Sequence, residues 1–303
     1  MFHRWFEEAM AGEEIRRIEI RKEEIWGRRC RIIERKGLEY TGMEDFNELV
    51  KRPCIFCNPE KVSKFGEDFG TTMLENDEAF LFPNISPYAR HSGVCAFRKH
   101  YIKIDEFTPS LIAKNLELGA RYIDKIGEME EVRFASISWN YMMPAGASIL
   151  HPHTQILVDR HPTVYMEKLL GRREEFERYI EMEVESERFI GRVGKVLLFT
   201  PFVPYGYNEV DGIIDGGLQI DEISGALAKI LSYYSAIGRN SFNVSIYISL
   251  EDEFPVHFRC ITRQNMGKYY RNDVAFLERL HEEVVLERSP EEVAEDMRNH
   301  LNC

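Results

Sequence analysis

Apolar residues along most of the chain come in short blocks bounded by Pro, Gly and Asn, interrupted by stretches in which they recur every third or fourth position. The blocks predict strands over 79–82, 93–97, 133–140 and 155–158, and the first periodic stretch predicts a helix over 109–126 behind a Thr108 cap. The order then recurs, with a strand over 195–199, a helix over 224–237 and strands over 243–250 and 257–262. Pro87-Tyr88 is echoed by Pro204-Tyr205, 117 residues on, and Ile104-Asp105-Glu106-Phe107 by Ile220-Asp221-Glu222-Ile223, 116 residues on. So constant a separation predicts an internal duplication of strands and a helix.

Between the copies, the Glu/Arg-rich stretch 167–190 predicts a solvated linker helix. Residues 1–50 are amphipathic and charged, with Trp5, Phe6, Ile15, Ile18, Ile25 and Trp26 at the apolar positions, a pattern that predicts one or two helices, or a helix and then a strand. The organisation expected is an N-terminal segment (1–50), a first half (51–166), a linker (167–194) and a second half (195–303). Composition fits that scale: 303 residues, 44% hydrophobic and 30% charged, can bury a sizeable core.

Charge narrows the choice of partners. A formal net charge of -12 repels bulk nucleic acid, so a phosphate-bearing ligand must be met in a local pocket. No apolar run reaches the ~18 residues that span a bilayer, and the N-terminal stretch Met1–Arg17 lacks the pattern of a secretory signal, so no membrane partner is expected. Six cysteines, at 30, 54, 57, 95, 260 and 303, are too sparse for a disulfide scaffold and fit a reducing, cytoplasmic setting.

The candidate chemistry lies in two places. In Arg52-Pro53-Cys54-Ile55-Phe56-Cys57-Asn58-Pro59, two cysteines sit on a proline-flanked knuckle, where thiolates can chelate a metal with zinc as the usual occupant. The flanking prolines argue against a helix-opening redox pair. His91, His100, His151 and His153 are the candidates for the two ligands still needed. Farther on, an extended 151–155 projects His151, His153 and Gln155 from one face, about 6.6 Å apart. Upstream of it, Gly146-Ala147-Ser148 is a run of small residues that lets backbone N–H groups and a hydroxyl approach an anion. A phosphate beside a histidine is the natural tenant.

These residues resemble galactose-1-phosphate uridylyltransferase and its relatives in the histidine-triad superfamily. The likeness rests on Cys54-x-x-Cys57, Asn76-Asp77 before a strand, His100 closing Arg-Lys-His, and Asn140…Gly146-x-Ser148…His151-Pro-His153-x-Gln155, and it covers roughly positions 50 to 290. The resemblance implies an α+β fold of two histidine-triad-like halves. It implies Cys54, Cys57, His100 and His151 as ligands of a structural zinc, and His153 as the nucleophile that takes the nucleotide from a nucleotide sugar. Gln155 and Ser148, with Gly146, would face the phosphates, and Asn76, Asp77 and Asn140 would hold the nucleoside. It also implies UMP transfer between UDP-glucose and galactose 1-phosphate, carried out by a homodimer whose acceptor site borrows residues from the partner subunit.

Gln155 stands where the hydrolytic branch of the superfamily has a third histidine, and an amide cannot shuttle a proton to water; transfer to another phosphate is therefore expected over hydrolysis. Two departures bear on substrate choice. Where relatives carry a second histidine cluster, this chain reads His257-Phe-Arg-Cys-Ile-Thr-Arg263, so a second metal site is not expected and His257 reads as a remnant or a packed histidine. The arginine-rich entry segment is not recognisable, although Arg28, Arg29 and Arg52 are available. A nucleotide phosphorylase of the ADP-glucose or diadenosine-tetraphosphate type is the alternative, and a zinc-stabilised nucleotide-binding protein without catalysis is the alternative of another class.

Overall fold

The computed structural model describes residues 1–11, 14–33, 51, 53–251, 254–267 and 273–302; Arg52, Tyr269, Tyr270, Cys303 and the 34–50 part of the N-terminal segment lie outside them. The N-terminal region, expected as one or two helices or as a helix and then a strand, is three strands with no helix among its described residues: β1 (Phe2–Ala11) and β2 (Glu14–Glu23) form a hairpin, and β3 (Arg29–Ile33) pairs with β2. The i, i+3 spacing of Ile15 and Ile18 suggested a helix, but Ile18 and Ile20 alternate with Glu19 and Arg21, and both faces are covered at the Ile20–Glu23 end of β2. Ile20 is 4% exposed and Arg21 0%. Arg21 is tolerated there because Glu19 accepts from its Nε at 2.6 Å and Glu291 from Nη1 and Nη2 at 2.9 and 2.7 Å.

The first half runs β4 (Leu74–Glu75), β5 (Ala79–Pro83), β6 (His91–Phe97), helix α1 (Pro109–Met129), β7 (Phe134–Tyr141) and β8 (His153–Asp159). Thr108 caps α1 as expected, accepting from Leu111 N, with Pro109 at the first helical position. The expected single linker helix is two, α2 (Val164–Leu170) and α3 (Arg173–Val184), separated at Gly171, where the backbone N–H turns back to Glu167 O. The second half follows as β9 (Phe189–Val193), β10 (Val196–Phe199), β11 (Tyr207–Ile214), α4 (Ile220–Ala236), β12 (Phe242–Ser249) and β13 (Val256–Thr262). A short α5 (Phe276–Leu280), β14 (Glu283–Leu286) and α6 (Pro290–Leu301) complete the described residues.

Two sheets result, one of order β1-β2-β3-β14 and one of order β4-β5-β6-β8-β7-β12-β13-β11-β10-β9. The longer order is a palindrome of the duplication: β5, β6, α1, β7 and β8 match β10, β11, α4, β12 and β13, and the halves meet where β7 pairs antiparallel with β12. The Pro87 and Pro204 echoes fall in the two equivalent hairpins. The second echo diverges: Ile104–Glu106 is a separate 3-10 turn, whereas Ile220 already opens α4.

Helices α1 and α4 lie side by side on one face and bury Ile112, Leu116, Ile123, Leu227, Ile230 and Tyr234 against the sheet. Gly212 in β11 lets this core close, because a Cβ there would stand 2.1 Å from the Phe258 ring. The opposite face is covered unequally. Over the second half, α2 and α3 seal it with Met166, Leu169, Phe176 and Tyr179. Over the first half, among the described residues, it is covered by the cysteine knuckle and the segment after it, which seat Phe56 and Val62 with Phe82, Val94 and Ala96. That asymmetry leaves room for a site on the first half. No helix among the described residues is long and apolar enough to cross a membrane.

Candidate functional site

The knuckle is a tight 3-10 turn over Ile55–Cys57, closed by Cys57 N donating to Cys54 O at 3.1 Å, so both thiols leave it on one side. His100 follows the end of β6, and His151 precedes β8. The structure brings these four residues together and leaves the other two candidate ligands out. His91 pairs with Glu130 at the far end of β6, and the His153 ring is bonded elsewhere.

The spacing tests whether a metal fits. A tetrahedral zinc with bonds of about 2.3 Å to sulfur and 2.0–2.1 Å to nitrogen sets ligand separations of about 3.8 Å for S–S, 3.5 Å for S–N and 3.3 Å for N–N. Here Cys54 Sγ and Cys57 Sγ are 3.7 Å apart, the four Sγ–Nδ1 distances run from 3.1 to 3.8 Å, and His100 Nδ1 lies 3.3 Å from His151 Nδ1. The four ligand atoms all lie within 4.8 Å of one another. The cluster can hold a metal ion at its centre. Its protons agree: His151 Nε2 donates to Phe97 O at 2.5 Å, which leaves Nδ1 as the lone pair turned to the cluster. Burial pushes the His151 pKa down to about 4, His100 and His153 adding to the effect, so its ring is neutral as a ligand must be.

The next side chain on that strand has the opposite tautomer. His153 Nδ1 lies 2.8 Å from His151 O; a carbonyl only accepts, so Nδ1 carries the proton and Nε2 keeps the lone pair. The ring is 5% exposed, and burial lowers its pKa while the bond to His151 O opposes the shift. Phe56, lodged between the two cysteines, packs edge-on against both imidazoles, 5.8 Å from His151 and 5.2 Å from His153. Thr154, between the two face directions, bonds Asn115 of α1, so His153 and Gln155 project to the opposite, open face.

The strand register gathers further predicted residues beside them. Gln155 is paired with Ser138, Trp139 with Thr154, and Asn140 stands next along β7, level with His153. The loop from β7 to β8 turns through Met142 (φ 72°) and Gly146 (φ 92°), a left-handed pair that bends it over the strand ends. Gly146 and Ala147 do not present their N–H groups to a ligand, contrary to expectation, because they donate to Met143 O and Met142 O at 2.9 and 3.2 Å. Ser148, in the same loop, is exposed.

Asn76 and Asp77 stand farther off, in the turn between β4 and β5, two strand spacings or about 10 Å from β8. The Asn76 amide is spent holding that turn: Oδ1 accepts from Glu78 N and Ala79 N, and Nδ2 donates to Lys114 O. Two further residues bear on the site. Phe56 had a signal, its position inside the cysteine pair. Asn243, which donates to Asn140 at 2.6 Å, had none, for only the pairing of β12 with β7 brings it there.

No family model matches the sequence. An uncharacterized protein of Archaeoglobus fulgidus is 29% identical over 307 residues, spanning 93% of this chain and 92% of its own. An Arabidopsis thaliana ADP-glucose phosphorylase, solved with bound ADP-glucose, is similar at a TM-score of 0.72 and 17% identity, over 93% of this chain and 98% of that one. A uridylyltransferase structure is similar at 0.62 and 18% identity, over 93% and 98%. This chain therefore has the fold of those uridylyltransferase and ADP-glucose phosphorylase structures, an α+β fold of two equivalent halves continuous through one sheet.

Proposed function

We propose that this protein is a nucleotidyltransferase that moves UMP between UDP-glucose and galactose 1-phosphate, a step of galactose metabolism, by way of a nucleotidyl-His153 intermediate. The observation that supports the reading is the bond from His153 Nδ1 to His151 O, which leaves the lone pair on Nε2 of a ring that shares its strand face with Gln155. In the first step Nε2 attacks the α-phosphorus. The P–N bond forms as the bond from that phosphorus to the bridging oxygen breaks, and the electron pair leaves with the sugar 1-phosphate. The positive charge left on the ring is stabilised by the Nδ1–H bond to the carbonyl. In the second step a phosphate oxygen of the acceptor forms the new P–O bond and the P–N bond breaks. Gln155 Nε2–H and the Ser148 donors meet the charge that grows on the phosphoryl oxygens.

Cys54, Cys57, His100 and His151 would hold a zinc ion whose part is structural: it clamps the knuckle, and with it Phe56, against the strand that carries the nucleophile. The resemblance in sequence supports a homodimer, and the sparse cysteines support a cytoplasmic location. A second reading keeps the chemistry and exchanges the acceptor for inorganic phosphate; the fold match to ADP-glucose phosphorylase supports it.

One experiment separates the readings. The protein is mixed with UDP-glucose or ADP-glucose radiolabelled at the α-phosphorus, quenched in alkali, and counted for acid-labile label. Label from UDP-glucose that galactose 1-phosphate discharges as UDP-galactose is the expected result. Label from ADP-glucose that only phosphate discharges selects the phosphorylase. Binding without label, with metal in place, selects a nucleotide-binding protein that does no catalysis.

A further inference from the structure

The second half contributes to the site through a chain of side chains that ends on Asn140. The Asp273 carboxylate accepts from Arg263 Nε at 2.7 Å and Nη2 at 2.5 Å, and also from Gln264 N at 3.1 Å. Arg263 Nη1 donates to Asn243 Oδ1 at 2.8 Å. Asn243 Nδ2 in turn donates to Asn140 Oδ1 at 2.6 Å and to Ala145 O at 2.8 Å, the residue before Gly146 in the loop. Asp273 is 4% exposed and Arg263 16%, so water competes weakly for these bonds.

Each link has a forced direction. A guanidinium only donates, so the Asn243 atom facing it must be oxygen, and its NH2 group must face Asn140 and the loop. What meets that NH2 on Asn140 must again be oxygen. The Asn140 NH2 is thereby turned away from β12, and its Nδ2 comes 3.9 Å from the position a Cβ would take on the exposed Gly146. An amide without this support could present either end to an incoming nucleotide; the resemblance places Asn140 on the nucleoside, whereas this orientation turns its donor toward Gly146 and the phosphates, which the oxygen end would repel.

We propose that Asp273, Arg263 and Asn243 are positioning residues that lock the Asn140 amide with its NH2 toward the phosphate loop, so that this donor is aimed before the nucleotide arrives. The proposal rests on the nucleotidyl-transfer reading of the site. It assigns the second half a role in transfer through the orientation of Asn140. A preset donor gains over a free one because no reorientation is needed as charge develops.

The test is a double-mutant cycle between Arg263→Met and Asn140→Ala, with Arg263→Lys as the conservative variant. It is read as the rate of single-turnover labelling at saturating donor and as the dissociation constants of AMP and UMP. Arg263→Met is expected to lower labelling or nucleotide affinity about 10- to 100-fold, the worth of a hydrogen bond to a charged group. In the Asn140→Ala background it should change neither by more than about 2-fold. Arg263→Lys, which still donates to Asn243, should restore most of the loss. Equal losses in both backgrounds, or no loss in either, overturn the relay. Absence of label from the unsubstituted protein would count against nucleotidyl transfer, while the cycle on AMP and UMP binding would still decide the relay.

Discussion

His153 and His257 occupy equivalent places about the centre of the ten-stranded sheet. The row Gln155, Ser138, Ser245, Arg259 runs through paired strands, and the Ser138 and Ser245 hydroxyls meet at 2.9 Å where the halves join. Two residues from this row, Gln155 leads to His153 and Arg259 to His257. The surroundings then part company. His257 is 2% exposed, boxed by the rings of Tyr165, Phe176, Tyr247 and Phe254, and burial pushes its pKa down to about 3, with Arg259 adding to the shift. Arg259 takes the place of Gln155 and is held by Glu209 at 3.1 Å and Asp211 at 3.5 Å. Its guanidinium and that of Arg28 each lie 3.6 Å from the Tyr205 ring centre, close enough that they must take opposite faces.

That contrast gives a paired prediction. His153→Ala should abolish covalent labelling and leave the metal content unchanged, because the ring is not one of the four clustered ligands. His257→Phe should leave labelling intact. The His257 ring is 2% exposed and enclosed by four aromatic rings, so an apolar ring of similar shape should fill the same space and keep the protein folded. Loss of label in His257→Phe, in a folded protein, would contradict the assignment of a single nucleophile to the first half.

Metal content should follow the four-residue cluster and no other histidine. Cys57→Ser or His100→Ala is expected to bring bound metal from about one ion per chain toward none and to lower the melting temperature, since structural sites contribute folding free energy directly. His91→Ala should keep the ion. Metal analysis of the purified variants checks this, and an ion retained after loss of both cysteines would place it elsewhere.

The contrast between amide and imidazole at position 155 should appear as a change of acceptor. Gln155→His adds a group that can take a proton from water, so the labelled protein should lose its label to water faster, while Gln155→Ala should slow labelling by about 100-fold through loss of one phosphate donor. Release of free nucleoside monophosphate from pre-labelled protein is the measurement. Equal hydrolysis by the unsubstituted protein and the Gln155→His variant would remove the argument for transfer over hydrolysis.

Much of the site was legible because its residues are neighbours in the chain. His151, His153 and Gln155 alternate along one strand, and Cys54 and Cys57 share one turn, so local geometry alone set their directions. The duplication was legible for the same reason, each copy carrying its own hairpin and helix. The N-terminal strands were not: the burial of Arg21 is made possible by Glu291, on a helix at the other end of the chain. The spent amide of Asn76 and the Asn243 bridge to Asn140 likewise depend on contacts with Lys114 and β12 that no local pattern encodes.

The Arg21–Glu291 bond should also set part of the acid sensitivity of the fold. Burial alone would raise the Glu291 pKa, but the Arg21 bonds and charge, with Arg188 nearby at 3.2 Å, outweigh it and bring it down to about 2. An unfolded glutamate titrates near 4.3, about two units higher. A carboxyl depressed in the folded state contributes its full stability above the unfolded pKa and loses it as pH falls toward the folded one, so this contribution, at most about 3 kcal/mol, should drain away between about pH 5 and 2. Glu291→Gln should be less stable than the unsubstituted protein at pH 7, because it leaves the Arg21 charge with Glu19 alone, and the gap should narrow steadily across that window. Urea unfolding at a series of pH values checks it: a gap that stays constant from pH 7 to 2.5 would show that the ion pair does not govern stability there.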